Sequence, residues 1–219
     1  MKKTILAGFL ALATATGGAW AQDAAQDDGR TLVKMDPQMQ QQFLAMMRGF
    51  LDSVDDMMSA LAEGDFKEVA RVAGEDLGPA HELMNKLRAA KVPDEKIAEI
   101  RKLVRERMAK MLEEGGDPGW MHMGMGRIVM QVLGGPVPGM QMGMGKRKPG
   151  AQGFGGFGQV MPPEMHQMGM QMHLISSSIA DAAAAVGEKP TAEDYRKVVG
   201  AISELTGQCR ACHAAWKLR

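Results

Sequence analysis

Cysteine is nearly absent from this 219-residue chain: only Cys209 and Cys212 occur, both close to the C-terminus. Two thiols three residues apart cannot staple a fold, because a bridge between them closes too short a loop to stabilise anything. Aromatic residues are scarce, at 5% with a single tyrosine, so methionine and aliphatic side chains must fill any core. Excess positive charge is absent as well. The 26 Lys and Arg residues are balanced by 26 Asp and Glu, which removes the electrostatic footprint of a nucleic-acid partner. No segment approaches the roughly 20 uninterrupted apolar residues of a membrane helix, so no membrane span is expected. Strand signals are missing, and no Ser/His/Asp set or paired carboxylates mark a catalytic centre, so the chain does not read as an enzyme.

What is present is an unusual amount of methionine (22) and glycine (27), unevenly spread. Before those excesses begin, Lys2 and Lys3 precede a short apolar run from Ile5 to Ala13, and Ala19-Trp20-Ala21 offers a small-x-small cleavage site. This is the pattern of a secretory signal peptide over residues 1–21. A mature chain starting near Gln22 is then expected in an oxidising compartment, most simply a bacterial periplasm.

Residues 22–35 are polar and aperiodic and read as a flexible lead-in. Asp36-Pro37 supplies a cap and a first-turn proline. Met39, Phe43, Met46, Phe50, Val54, Met57 and Leu61 then recur at steps of three and four, the spacing of one helical stripe ended by Gly64. Asp65 and Glu68 resemble a capping box that opens a second helix with Phe66, Val69, Ala73 and Leu77 inward. These two helices occupy residues 36–78. Residues 79–160 read as an insertion. It has helical stretches at 80–91 and 94–114, then a Met/Gly-rich low-complexity loop, partly disordered, with one short helix near Arg127 to Leu133.

Order returns in residues 161–219. Met165, Met168, Met172, Ile175, Ile179, Ala182 and Val186 form a third stripe. Thr191 caps a last helix with Glu193 and Asp194 in its first turn. The expected fold is all-α, an antiparallel four-helix bundle with the long insertion between helices two and three.

On the last helix, Tyr195, Val198, Ile202, Leu205, Cys209, Cys212 and Trp216 alternate three and four without a slip. Both thiols therefore lie on the expected core seam, and His213 is about 40° around the helix from Cys209. A porphyrin joined to both sulfurs would be held against that face, with the imidazole placed to reach its iron. That is the physical content of Cys-x-x-Cys-His as a haem c attachment signature. Other chemistries fit less well. A redox dithiol belongs at a helix N-terminus, where the dipole lowers the thiol pKa, and a structural zinc site wants four ligands where this segment offers three.

A signal peptide, four amphipathic helices, CRACH near the end and a following aromatic and basic residue (Trp216, Lys217) resemble the cytochrome c′ family of periplasmic haem proteins. The likeness covers residues 36–77 and 162–217; the insertion departs from it. The resemblance implies Cys209 and Cys212 as thioether anchors of one covalent haem and His213 as proximal iron ligand. It places Met46 or Met47 at the distal position, which in such proteins is either filled by methionine or left open. A methionine-ligated iron suits single-electron transfer to a periplasmic redox partner, and an open one suits a small gas such as NO or CO. Haem attachment machinery is the implied partner during maturation, and relatives of this type are often homodimers.

The methionine clusters MHMGM (121–125), MQMGM (140–144) and MHQMGMQMH (165–173) carry thioethers and imidazoles, ligands that favour Cu(I). On the third bundle helix, His166, Met170 and His173 share a face distinct from the core stripe and are the candidate copper ligands. The competing reading is an adaptable Met-rich surface that packs or docks.

Overall fold

In a computed structural model, residues 28–115, 120–136 and 160–218 are described, with the side chains of residues 120–123 excepted. The expected signal peptide and the MQMGM segment lie outside the described residues. The described residues are all-α apart from two three-residue strands.

Helix α1 (Pro37–Glu63) begins where the Asp36 carboxylate accepts the Met39 N–H at 2.9 Å, with proline in the first turn. A cap of this kind contributes about 1 kcal/mol. Gly64 ends the helix in the left-handed region (φ 77°), and its N–H turns back to the carbonyls of Ala60 and Leu61. Helix α2 (Phe66–Arg71) starts with half of the expected capping box: Asp65 accepts the Glu68 N–H at 3.0 Å. The reciprocal bond is not made. The Asp65 N–H is already donated to Ala60 O, and the Glu68 carboxylate takes the Arg71 guanidinium instead.

Beyond α2 the chain widens into a π-helical turn, Val72–Asp76, before Leu77. Helices α3 (His81–Ala89), α4 (Asp94–Glu114) and α5 (Trp120–Leu133) follow. Helix α5 starts at Trp120 and is longer than the short segment expected from Arg127; Met125, Ile128, Val129 and Val132 pack its apolar face into the cluster with α3 and α4. Helix α6 (Pro163–Ala184) follows Pro162, and α7 (Ala192–Ala215) starts from a complete Thr191/Asp194 capping box. The last helix stops at Ala215. Trp216–Leu218 leaves it as strand β2 and pairs in parallel with strand β1 (Thr31–Val33), Thr31 beside Trp216 and Val33 beside Leu218.

Apolar side chains sort into several clusters. The largest joins Met57 and Leu61 of α1, Val69 of α2, Leu77, Ile179 of α6, and Val198, Ile202 and Leu205 of α7. Complete burial of a side chain such as Ile179 is worth roughly 2 kcal/mol relative to leaving it in water. A second cluster unites α3, α4 and α5 through Met84, Leu87, Ile97, Ile100, Val104 and Val129. Glu75 of the π-helical turn ties the two layers, pairing with Arg88 of α3 and lying 3.9 Å from Arg101 of α4. Among the described residues, no helix is long and apolar enough to cross a membrane.

Candidate functional site

The apolar stripes of α1 and α7 are not covered evenly along their length. On α7, Val198, Ile202 and Leu205 are buried, whereas Cys209 and Cys212 one and two turns later are only half-buried. On α1, Met57 and Leu61 are buried, whereas Met39, Met46, Phe50 and Val54 are half-buried, with Phe43 buried between them. Phe43 apart, both stripes are less covered toward the same end of the molecule. There a third cluster gathers Phe43, Met46 and Met47 of α1, Met161 and Met165 at the start of α6, Cys212, and Trp216 of β2.

The two thiols are free. Burial raises the pKa of each, and for Cys212 the neighbouring Cys209 adds to the effect. A redox dithiol needs the opposite, a thiolate favoured at neutral pH. His213 is exposed on the shoulder of the same turn. The expected common face is therefore met in part: Cys212 packs against the apolar cluster, Cys209 is half-buried one turn before it, and His213 is exposed.

Residues 28–33 of the lead-in expected to be flexible are instead tied to this end. Besides the strand pairing, Arg30 donates from Nη1 to the His213 carbonyl at 3.4 Å, and Lys217 Nζ lies 2.9 Å from Asp28 Oδ1. Arg30, and then Lys217, hold the Asp28 carboxyl well below the usual carboxylate range. Thr31-Leu32-Val33 and Trp216-Lys217-Leu218 are both good strand triplets. Each is too short to register alone, and their partnership spans nearly the whole chain.

The candidate copper ligands are divided. Met170 is buried against Met108 and Met111 of α4. His173 turns the other way. Its Nδ1 donates to Leu77 O at 2.6 Å, and its ring lies 5.9 Å from those of Phe50 and His81. Residues three apart on a helix differ by about 60° in direction, enough to send them to different neighbours. His166 lies within electrostatic reach of His173. His81, which the sequence pattern did not single out, completes this second constellation.

Burial lowers the His173 pKa to about 4, the Leu77 hydrogen bond opposing only part of that shift; burial also lowers the pKa of His81. The consequence for stability has a definite sign. Between about pH 6.5 and pH 4 the unfolded chain takes up a proton that the folded His173 refuses, so stability is full above that window and falls through it. Urea unfolding of metal-free protein is expected to lose up to about 3 kcal/mol across the window, and His173→Phe to flatten the dependence. An unchanged slope in that variant would exclude His173 as its source.

No protein-family model matches this chain, and no curated protein and no solved structure matches it either.

Proposed function

We propose that this chain is a periplasmic c-type cytochrome of the cytochrome c′ kind, acting as a single-electron carrier and not as an enzyme. In this proposal α1, α2, α6 and α7 are the antiparallel four-helix bundle and α3 to α5 are inserted between its halves. The observation that carries the proposal is the shared loss of cover along α1 and α7 at the end where Cys209 and Cys212 sit. A flat apolar group entering there would complete both stripes. Burial of a porphyrin face by Phe43, Met46, Met47 and Met165 needs side chains that can re-pack, and methionine is the most adaptable of the apolar residues.

The residues present fit a haem. Cys209 and Cys212 are free, half-buried and one turn apart, as two thioether anchors require, and His213 follows as the proximal imidazole. When bound, the group supplies an iron that alternates between ferric and ferrous states. The chain's own contribution is to anchor, to exclude water and to set the iron's surroundings. The β1–β2 pairing and the Asp28–Lys217 ion pair hold the segment behind His213, so the imidazole is carried on a restrained turn and not on a frayed helix end.

Met46 and Met47 both contact the same cluster as Cys212, which supports a methionine at the distal position. Replacing the correct one with alanine is expected to convert a six-coordinate low-spin visible spectrum into a five-coordinate high-spin one and to lower the reduction potential. The other substitution is expected to leave the spectrum alone. If neither changes the spectrum, no methionine of α1 is a ligand. A wild-type protein that is already high-spin and takes up NO or CO would assign the open-site function instead.

A further inference from the structure

Residues 28–33 and 213–218 come from opposite ends of the chain, and their contacts converge on one peptide group, the carbonyl of His213. Helix α7 ends at Ala215, and Trp216 leaves it in an extended conformation with its N–H donated to the Cys212 carbonyl. Lys217, whose N–H would close the next helical bond onto His213, lies in β2 instead. The last carbonyls of a helix need partners from elsewhere, and the helix dipole favours a cation beside them. Arg30 supplies both, its Nη1 donating to His213 O at 3.4 Å.

The guanidinium is itself held. Gly29, in the left-handed region (φ 76°), turns the chain so that Asp28 Oδ1 accepts the Arg30 N–H at 3.1 Å, while Oδ2 accepts Nε at 2.9 Å and Nη2 at 2.6 Å. Asp28 Oδ1 also accepts Lys217 Nζ at 2.9 Å. A ring of contacts is thereby closed from His213 through Arg30, Asp28 and Lys217 and back along the chain. Beside it the parallel ladder fixes the register, and Val33, 3% exposed, anchors the segment in the cluster that includes Cys212. Two three-residue strands would not persist alone. The buried valine and the charged ring make one unit of them.

We infer that residues 28–33 are a strap that holds the turn carrying His213, with Arg30 as a positioning residue for that histidine. The inference rests on the proposed reading of His213 as iron ligand, and adds to it a part of the chain 183 positions away. A helix end without partners for its carbonyls opens locally while the rest of the fold stands. With the strap closed, the backbone of residue 213 is fixed both by α7 and by Arg30. With the strap lost, the imidazole rides on a frayed turn and donates less well to the iron, which favours the ferrous state.

The test compares wild type, Arg30→Ala and Asp28→Ala as full-length mature chains purified from a periplasm equipped for haem attachment. Hydrogen exchange at the amides of residues 216–218 is expected to quicken at least tenfold in both variants, while the amides of residues 198–205 keep their protection. The reduction potential is expected to rise in both, by a tenfold change in the ferric–ferrous equilibrium or about 59 mV for one electron. The shared direction separates positioning from charge. Arg30→Ala removes a positive charge and Asp28→Ala a negative one, so a through-space effect on the iron would move the potential in opposite directions. Opposite shifts, an unchanged potential, or unchanged exchange in both variants would each overturn the inference. A wild-type chain that carries no haem would refute the proposed function instead; exchange on that chain still tests the strap, with quickening in the variants supporting it and equal rates overturning it.

Discussion

A double variant, Cys209→Ala with Cys212→Ala, is expected to leave the periplasm as a colourless chain when made alongside a haem-attachment system, with covalent haem content reduced to background. The expectation follows from what the two sulfurs lack as well as from what they have. They lie in the last turns of α7, where the negative end of the helix dipole and burial both disfavour a thiolate. That setting is poor for redox exchange and for metal-thiolate binding, and it costs a thioether nothing, since a thioether carries no charge. The single variants are expected to retain haem through one link, with a shifted haemochrome band. Circular dichroism should show that the double variant keeps its helices, because both cysteines are only half-buried and Cys212 sits at the edge of its cluster and not at the centre of a core. Full colour and full covalent haem in the double variant would show that the attachment point lies elsewhere.

The second large effect is expected at Gly78, a position with no role in the haem proposal. A β-carbon there would fall on the carbonyl oxygen of Gly74, one turn back across the π-helical segment. The obstacle is backbone, so no side-chain rotation relieves it. Gly78→Ala must push apart the Val72–Asp76 turn and the start of α3, and Leu77, 1% exposed, sits at that junction with its N–H donated to Val72 O at 3.3 Å. A loss on the order of 3 kcal/mol is expected from urea unfolding, at the upper end of ordinary single substitutions. The displaced carbonyl of Leu77 also accepts the hydrogen bond that orients the His173 ring. Gly126→Ala in α5 is the control. An added β-carbon there meets nothing, and helix propensity predicts a gain of about 0.5 to 1 kcal/mol. A Gly78→Ala protein as stable as wild type would mean that the tight passage over Gly74 does not exist in solution.

The helices were legible because their signals are local. The three-four spacing of Met57 and Leu61 on α1, of Ile175 and Ile179 on α6, and of Val198 to Leu205 on α7 marks residues that are in fact buried. Asp36, Thr191 and Gly64 cap where the sequence places them. What escaped depends on distant parts of the chain. The strand pair needs Thr31 to find Trp216, and an apolar triplet carries no sign of which partner it has. The π-helical turn packs against α6 and carries the ion pairs of Glu75, contacts to distant parts of the chain that the residues Val72–Asp76 do not announce. Periodicity also overstated the burial of Cys209, Cys212 and Met46, since it fixes direction around a helix and says nothing about how far the covering elements extend along it. Direction along α6 is equally partial: His173 and Met170 share a helix and a rough direction, and their neighbours Phe50 and Met108 come from different helices. His81 carried no motif at all, because its partner is 92 positions away and only the fold brings them together.

One measurement bears most directly on the central claim: the mass and visible spectrum of the mature chain purified from a periplasm equipped for haem attachment. A mass equal to the chain from about Gln22 plus one haem is expected. So is a haemochrome spectrum typical of two thioether links, which requires both sulfurs to be spent. A colourless product of unmodified mass, its Cys209 and Cys212 still open to alkylation, would contradict the account outright.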